Sequence, residues 1–324
     1  MKSKIIFSII IPVKEINQHV LNHIPILLDL NYPKDKYEIL VLPDEDNKKL
    51  RLMDVKIIPT GSAGPAKKRD LGTKHSKGKY LVFIDDDAYP KRDYLKVAEK
   101  LLENEKIISG PNLTPPESNI WQKASGGVFS NLFVSGPARA RYRKTKKKYL
   151  DDAPSCNFII DKNIFNTIGG FDSEYWPGED SKLCNDLLEK GYTILYDPDL
   201  IVYHHRRPLF KEHLKQVWSY SVHRGYFAKK FPTNSRKIKY FLPSLLIFIG
   251  AILLLFSFFF TFLFHFLITL ILIFSLITVL DSKDLKNIRV IILTIIGSFL
   301  TIIIYGIGIL RGLLKKDLRS KYRK

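Results

Sequence analysis

The first half of the chain alternates short apolar runs, rich in β-branched and aromatic residues, with stretches of helical spacing. Residues 6–13, 38–42, 55–58 and 80–84 read as strands. They are nearly continuous in apolar character, as strands covered on both faces are. Between and after them, residues 18–30, 65–76 and 92–104 carry helical spacing. This alternation predicts an α/β fold with a mixed, mostly parallel sheet flanked by helices. Beyond Pro111 the pattern is less regular. Residues 155–160 are strand-like, Gly169-Gly170 with Phe171-Asp172 marks a sharp turn, and 180–190 reads as a helix that Gly191 is placed to end. Strand character returns at 193–196 and 200–204. Residues 210–231 form an aromatic, basic, amphipathic stretch expected at a membrane surface. The basic run 139–148 is expected to be a mobile loop.

From about Phe241 the sequence changes character. Residues 241–280 contain no Lys, Arg, Asp or Glu, enough apolar length for two closely connected membrane spans of roughly 20 residues each. Residues 288–310 offer a third, with Arg289 at its edge and Gly297, Gly306 and Gly308 within it. The expected organisation is an α/β domain over 1–208 (1–110 and 111–208), amphipathic juxtamembrane helices over 209–240, a membrane region of two to three spans over 241–312, and a basic tail over 313–324. No cleavable signal is evident in the first residues, and Arg236, Lys237 and Lys239 precede the first span. Both point to a multi-pass protein of the cell membrane with its first 240 residues on the cytoplasmic side. Three spans would put the basic tail outside, against the charge rule.

Charge sharpens this picture. The formal net charge is +19 over 324 residues, clustered in 139–148, ahead of the first span and in the tail. Beside membrane spans such a balance fits anionic headgroups and phosphorylated substrates. No zinc finger or RNP-type signature supports nucleic-acid binding. Cys156 and Cys184 supply neither a disulfide framework nor a zinc ligand set.

Candidate chemistry begins at Asp85-Asp86-Asp87, directly after YLVFI. Ligands of open α/β sheets bind beyond the carboxyl ends of the strands. Three adjacent carboxylates repel one another unless a cation neutralises them, and Mg²⁺ or Mn²⁺ bridging to substrate phosphates does so. A solvated acidic turn is the equally open alternative on composition alone. Glu179-Asp180, taken alone, is a helix-N-terminal acidic pair favoured by the dipole.

The wider pattern resembles the family-two inverting glycosyltransferases of the GT-A (nucleotide-diphospho-sugar transferase) fold, from about Ser8 to Phe231. SIIIPVKE is similar to the opening strand, with Pro12 and Glu15 on the motif and Glu15 toward the nucleotide. In EILVLPDED, Asp44 matches the acid that meets the uracil or ribose. GPAKKRDLGTKHSKGKYLVFIDDD resembles the segment with the Ala-Arg-Asn motif and the metal-binding acids. There Arg69 and Gly72 match, while Lys68 and Asp70 replace Ala and Asn. The resemblance implies that Asp85 and Asp86 bind the nucleotide sugar and that Asp87, Asp85 and His204 hold Mn²⁺ or Mg²⁺. In the later block, GGFD followed by Gly-Glu-Asp, it makes Asp180 the catalytic base, with Glu179 and Trp176 on the acceptor side. Arg206 and Arg207 would meet diphosphate or headgroups.

The implied activity moves one sugar from a UDP- or GDP-type donor to a hydroxyl of a membrane-associated, lipid-linked acceptor in glycan assembly. The Gln-x-x-Arg-Trp motif of processive synthases is absent, QVWSYSVHRG standing nearest to it. The alternatives are a polyprenyl-phosphate glycosyltransferase and a catalytically inactive membrane scaffold. Membrane lipids are expected partners and nucleic acid is not.

Overall fold

The computed structural model describes residues 5–46 and 54–318. They form two compact units, one holding residues up to 113 together with 143–205, the other 114–142 and 206–318.

The first unit is an α/β layer structure. Strands β1 (Phe7–Pro12), β2 (Tyr37–Leu42), β3 (Lys56–Ile57) and β4 (Tyr80–Phe83) run parallel, linked through helices α1 (Gln18–Leu28) and α2 (Pro65–His75). Strand β5 (Ala88–Pro90) and helix α3 (Tyr94–Leu101) follow, then β6 (Ile107–Ser109) and β7 (Asn112–Leu113). After the excursion into the second unit come β8 (Lys148–Leu150), β9 (Phe158–Asp161), α6 (Lys162–Thr167), α7 (Glu179–Glu189), β10 (Ile194–Tyr196) and β11 (Val202–His204). The main sheet has the order β3-β2-β1-β4-β9-β6-β10-β8, with β9 antiparallel to both β4 and β6 and with β8 antiparallel to β10. A small sheet, β5-β11-β7, carries the end of β4 onward.

Because successive side chains of a strand face opposite sides, β1 feeds two cores. Phe7, Ile9 and Ile11 join Val20, Ile24 and Leu27 of α1 and Leu95 and Ala98 of α3. Ile10, with Leu40, Leu42, Leu81 and Phe83, meets Phe165, Phe171, Leu183 and Leu187 on the other face. Both faces are covered, which is why these strands read as continuous apolar runs.

The second unit is helical: α4 (Ile120–Ser130), α5 (Leu132–Ser135), α8 (Lys211–Lys230), α9 (Pro232–Ser235), α10 (Ile238–Ser257), α11 (Thr261–Asp281) and α12 (Ile288–Leu314). The last three of these are long and apolar enough to cross a membrane, and they fit an anchor. Helix α12 turns a stripe of small and hydroxyl residues (Thr294, Gly297, Ser298, Thr301, Gly308, Gly312) inward, while α10 and α11 keep most of their apolar side chains exposed.

Three local expectations change. The run 139–148 is not simply a mobile loop: Gly136–Arg141 is a 3₁₀ helix, and Lys148 opens β8, where main-chain pairing with β10 overrides a sequence of poor strand character. Residues 155–157 form a 3₁₀ turn, and the strand there starts at Phe158. The third apolar segment runs unbroken through its glycines to Leu314. The basic tail from Arg319 onward lies outside the described residues.

Candidate active site

The site gathers at the carboxyl end of β4, where the chain leaves the sheet as Asp85-Asp86-Asp87 and re-enters at β5. Strand β11 pairs antiparallel with β5, setting His204 opposite Ala88. This register brings His204 Nε2 to 3.0 Å from Asp87 Oδ1, and the amide of His205 donates to the Asp87 carbonyl at 3.0 Å. Donor atoms of Asp85, Asp87 and His204 all lie within 4.8 Å of one another. Two carboxylates and an imidazole form a donor set suited to a small divalent cation of the Mn²⁺ or Mg²⁺ kind. Burial works against the charged form of His204, but Asp87 and, beside it, Cys156 outweigh it and hold its pKa well above the ordinary value. The acids thus favour a cation at this position, either a proton on His204 or, in its place, a metal ion that takes the neutral imidazole.

Asp86 points elsewhere. Its Oδ2 accepts from Asn17 Nδ2 at 2.6 Å, and Asn17 is also the N-cap of α1, accepting from the Val20 amide. Burial, followed by repulsion from Asp87, pushes the Asp86 pKa up to about 6. On the same side, burial lowers the pKa of His23 to about 4, with help from His205 and His19.

Arg69 organises the other side. It sits on α2, 2 % exposed, and donates through Nη2 to Asp85 at 2.6 Å and through Nη1 to Glu179 at 3.0 Å. Its guanidinium also lies 5.2 Å from the Phe171 ring centroid. A buried guanidinium with two carboxylate partners is a fixed strut, since removing either partner would leave a charge uncompensated in the interior. The strut joins the triplet to the start of α7. Gly178, at φ +115°, turns the chain into that helix, so Glu179 and Asp180 occupy its first turn, where the helix dipole favours acids. The Glu179 carboxylate also accepts from the Gly178 amide, and Asp180 Oδ1 accepts from the Ser181 amide at 2.8 Å.

The two departures from the family motif have visible work. Lys68 donates to the carbonyls of Val13 (2.7 Å) and Leu42 (3.1 Å) and to the Asp44 carboxylate, tying the ends of β1 and β2 together. Asp70 accepts from the amides of Phe171 (2.9 Å) and Asp172 (3.2 Å), which fixes the GGFD turn. Gly170 stands there at φ +79°, and a Cβ on it would meet Asp70 Oδ1 at 2.7 Å.

Of the residues singled out from sequence, Arg69 directly contacts Asp85 and Glu179, His204 directly contacts Asp87, the donor atoms of Asp85, Asp87 and His204 lie within 4.8 Å of one another, and Asp86 and Asp180 adjoin them in the chain. Asp44 belongs to the Lys68 network. Pro12 is buried at the end of β1, Glu15 is exposed in the loop after it, and Trp176 is half-buried in the loop before α7. Sequence reasoning missed Asn17 and Cys156. The only available signal for Asn17 was its N-cap position ahead of α1, and none marked Cys156 as a neighbour of His204.

Comparison with known proteins places the chain in a family. Residues 8–169 match the Glycosyl transferase family 2 profile, half of the chain. A Methanococcus voltae enzyme, dolichyl N-acetyl-alpha-D-glucosaminyl phosphate 3-beta-D-2,3-diacetamido-2,3-dideoxy-beta-D-glucuronosyltransferase, is 21% identical over 69% of this chain and 74% of its own length. Glycosyltransferase AglE of Haloferax volcanii is 24% identical over 64% of this chain and 69% of its own. Among solved structures, the mannosyltransferase PcManGT from Pyrobaculum calidifontis, in complex with GDP-Man and Mn²⁺, superposes with a TM-score of 0.62 at 16% identity. That likeness covers 96% of this chain and 88% of the other, and it speaks to the fold. The chain is a GT-A-fold enzyme with three apolar C-terminal helices that fit a membrane anchor, and it belongs to glycosyltransferase family 2.

Proposed function

We propose that the protein is an inverting, membrane-anchored glycosyltransferase that moves one sugar from a UDP- or GDP-type donor to a hydroxyl of a lipid-linked acceptor. The observation that carries this is the Arg69 strut, which ties Asp85 of the donor triplet to Glu179, the neighbour of Asp180. A base and a diphosphate site linked in this way meet the demand of inverting transfer, which needs a base on the acceptor side and charge stabilisation on the leaving-group side.

In this reading Asp180 accepts the acceptor hydroxyl proton as that oxygen attacks the anomeric carbon, while the bond to the nucleoside diphosphate breaks on the opposite face. Asp85, Asp87 and His204 hold Mn²⁺ or Mg²⁺, which when bound offsets the charge developing on the departing diphosphate. Asp85 and Asp86 orient the nucleotide sugar, with Pro12, Glu15 and Asp44 along the nucleotide side. Arg69 holds Asp85 in place. Glu179 positions the first turn of α7, and Trp176 offers a ring face to the acceptor sugar.

The Methanococcus relative is named for a dolichyl-linked sugar phosphate, which favours a lipid-linked sugar acceptor here as well. The apolar C-terminal helices suit such a substrate, keeping the enzyme at the bilayer. We place the catalytic unit on the cytoplasmic side, on the basic residues Arg236, Lys237 and Lys239 ahead of α10.

The Asp180→Asn variant tests the acceptor class. A hydroxyl acceptor needs the base, so transfer should fall by roughly 10²–10⁴-fold. An acceptor phosphate is already ionised, and near-normal transfer by the variant would replace this reading with that of a polyprenyl-phosphate glycosyltransferase. A donor screen for nucleotide release in the presence of membrane lipids then identifies the sugar.

A further inference from the structure

A second cluster of potential ligands lies next to the acidic triplet and has no part in the proposed transfer. His19 and His23 are one helical turn apart on α1, hence on one face. His205 follows β11 and stacks on His23, the planes 7° apart and the centroids 5.3 Å. The His19 ring centroid is 4.6 Å from that of His205. One ring nitrogen from each of the three falls within 4.8 Å of the others.

The spacing is that of a ligand set. Two nitrogens on a tetrahedral zinc ion, each about 2.0–2.1 Å from it, are roughly 3.4 Å apart. His23 Nε2 and His205 Nε2 are 3.3 Å apart. His19 is exposed on the first turn of α1, so its side chain has room to swing onto the same point. His23 is buried, 5 % exposed, and its ring is packed against Tyr89 at 4.9 Å, which fixes its direction. We propose that His19, His23 and His205 form a binding site for a borderline transition-metal ion of the Zn²⁺ class, separate from the Asp85–Asp87–His204 set. Three imidazoles and no carboxylate favour Zn²⁺ over Mg²⁺ or Mn²⁺, which prefer oxygen. Three protein nitrogens also leave a fourth position for water.

The site has a mechanical consequence. His205 holds the Asp87 carbonyl through its amide, and Asn17, the N-cap of the helix bearing His19 and His23, holds the Asp86 carboxylate. An ion on the three histidines therefore clamps α1 to the end of β11 and braces two members of the triplet from outside.

Cobalt titration of the full-length chain in detergent, after chelation and dialysis, tests the proposal, because tetrahedral Co²⁺ absorbs far more strongly in the visible than octahedral Co²⁺. The expected result is one tetrahedral Co²⁺ per chain, displaced by Zn²⁺, retained in Asp87→Asn, which leaves the Arg69–Asp85 pair intact. In His19→Ala, whose exposed position spares the packing, Co²⁺ binding should weaken at least a hundredfold. Absence of the tetrahedral bands, their persistence in His19→Ala, or their loss in Asp87→Asn would each overturn the site. None of these results depends on transferase activity, so failure of this site and failure of the transferase reading are separately visible.

Discussion

Strand β1 and helix α11 are both predominantly apolar, yet they end in opposite surroundings. Phe7, Ile9 and Ile10 are fully buried between two helical layers, whereas Phe262 and Leu272 of α11 are 68 % and 63 % exposed. Apolar composition alone does not tell a core from an anchor. What separates them is length and closure: a strand of six residues is covered by its own unit, while a helix of 21 residues is left bare and suits lipid. The contrast extends to what each unit uses for specificity. The α/β unit carries buried charge, with Arg69 held between Asp85 and Glu179 and Lys68 paired with Asp44. The helical unit relies on small residues and hydroxyls on α12.

The largest effect should follow from breaking the charged centre. Arg69→Met leaves Asp85 and Glu179 facing each other without their cation. It should destabilise the α/β unit by about 3–5 kcal/mol, read as an earlier denaturant midpoint for that unit. An unchanged midpoint would mean that the strut is ornamental and that the triplet is held by other contacts.

The helical unit carries a buried histidine off its spans. His213 is fully buried on α8, bonded through Nδ1 to Ser125 Oγ at 2.8 Å and through Nε2 to Thr301 Oγ1 at 3.0 Å. Burial, followed by the nearby Arg206, lowers its pKa from 6.5 to about 4. The unfolded chain then takes up a proton that the folded one refuses, so stability is complete above pH 6.5 and declines as pH falls toward 4. The loss across that window is about 3 kcal/mol. Thermal melts of the full chain between pH 7 and 4 should show this slope, and His213→Gln should flatten it.

The smallest effect tests the small-residue stripe. A Cβ on Gly308 would fall 1.8 Å from Ser221 Oγ, and one on Gly225 would fall 2.1 Å from the Ile309 carbonyl, so α8 and α12 pack backbone to backbone. Gly308→Leu should cost about 1–3 kcal/mol by overpacking, measured as melting temperature in detergent. Gly250→Leu on α10, where a Cβ meets nothing within 4 Å, should leave it unchanged. Equal effects at the two positions would erase the distinction between a packed span and a lipid-facing one.

How much of this was readable beforehand depended on whether the signal was local. Strands β1, β2 and β4 announce themselves because burial on both faces forces uninterrupted apolar runs. Gly191, at φ +81°, ends α7 as its sequence position suggested. Strand β8 is invisible, because Lys148-Tyr149-Leu150 becomes a strand only by pairing with β10. Helix α4 carries one local signal, the capping box that Asn119 and Gln122 form at its start. At the site, Arg69, Asp85 and Asp180 stand out in the sequence through their motif. The contacts of Lys68 and Asp70 do not, since a substitution in a motif says nothing about the amides and carbonyls that folding brings to it. Nor could spacing reveal that Asn17 and Asp86, 69 positions apart, share a hydrogen bond.

The central claim is that the triplet and His204 form a metal-dependent nucleoside-diphosphate site. Calorimetric titration of the full-length protein with UDP and with GDP, each with and without Mn²⁺, addresses it directly. Binding of one of the two nucleotides that appears only with Mn²⁺ and disappears in Asp87→Asn is the predicted result. Metal-independent binding, or none with either nucleotide, would contradict the account.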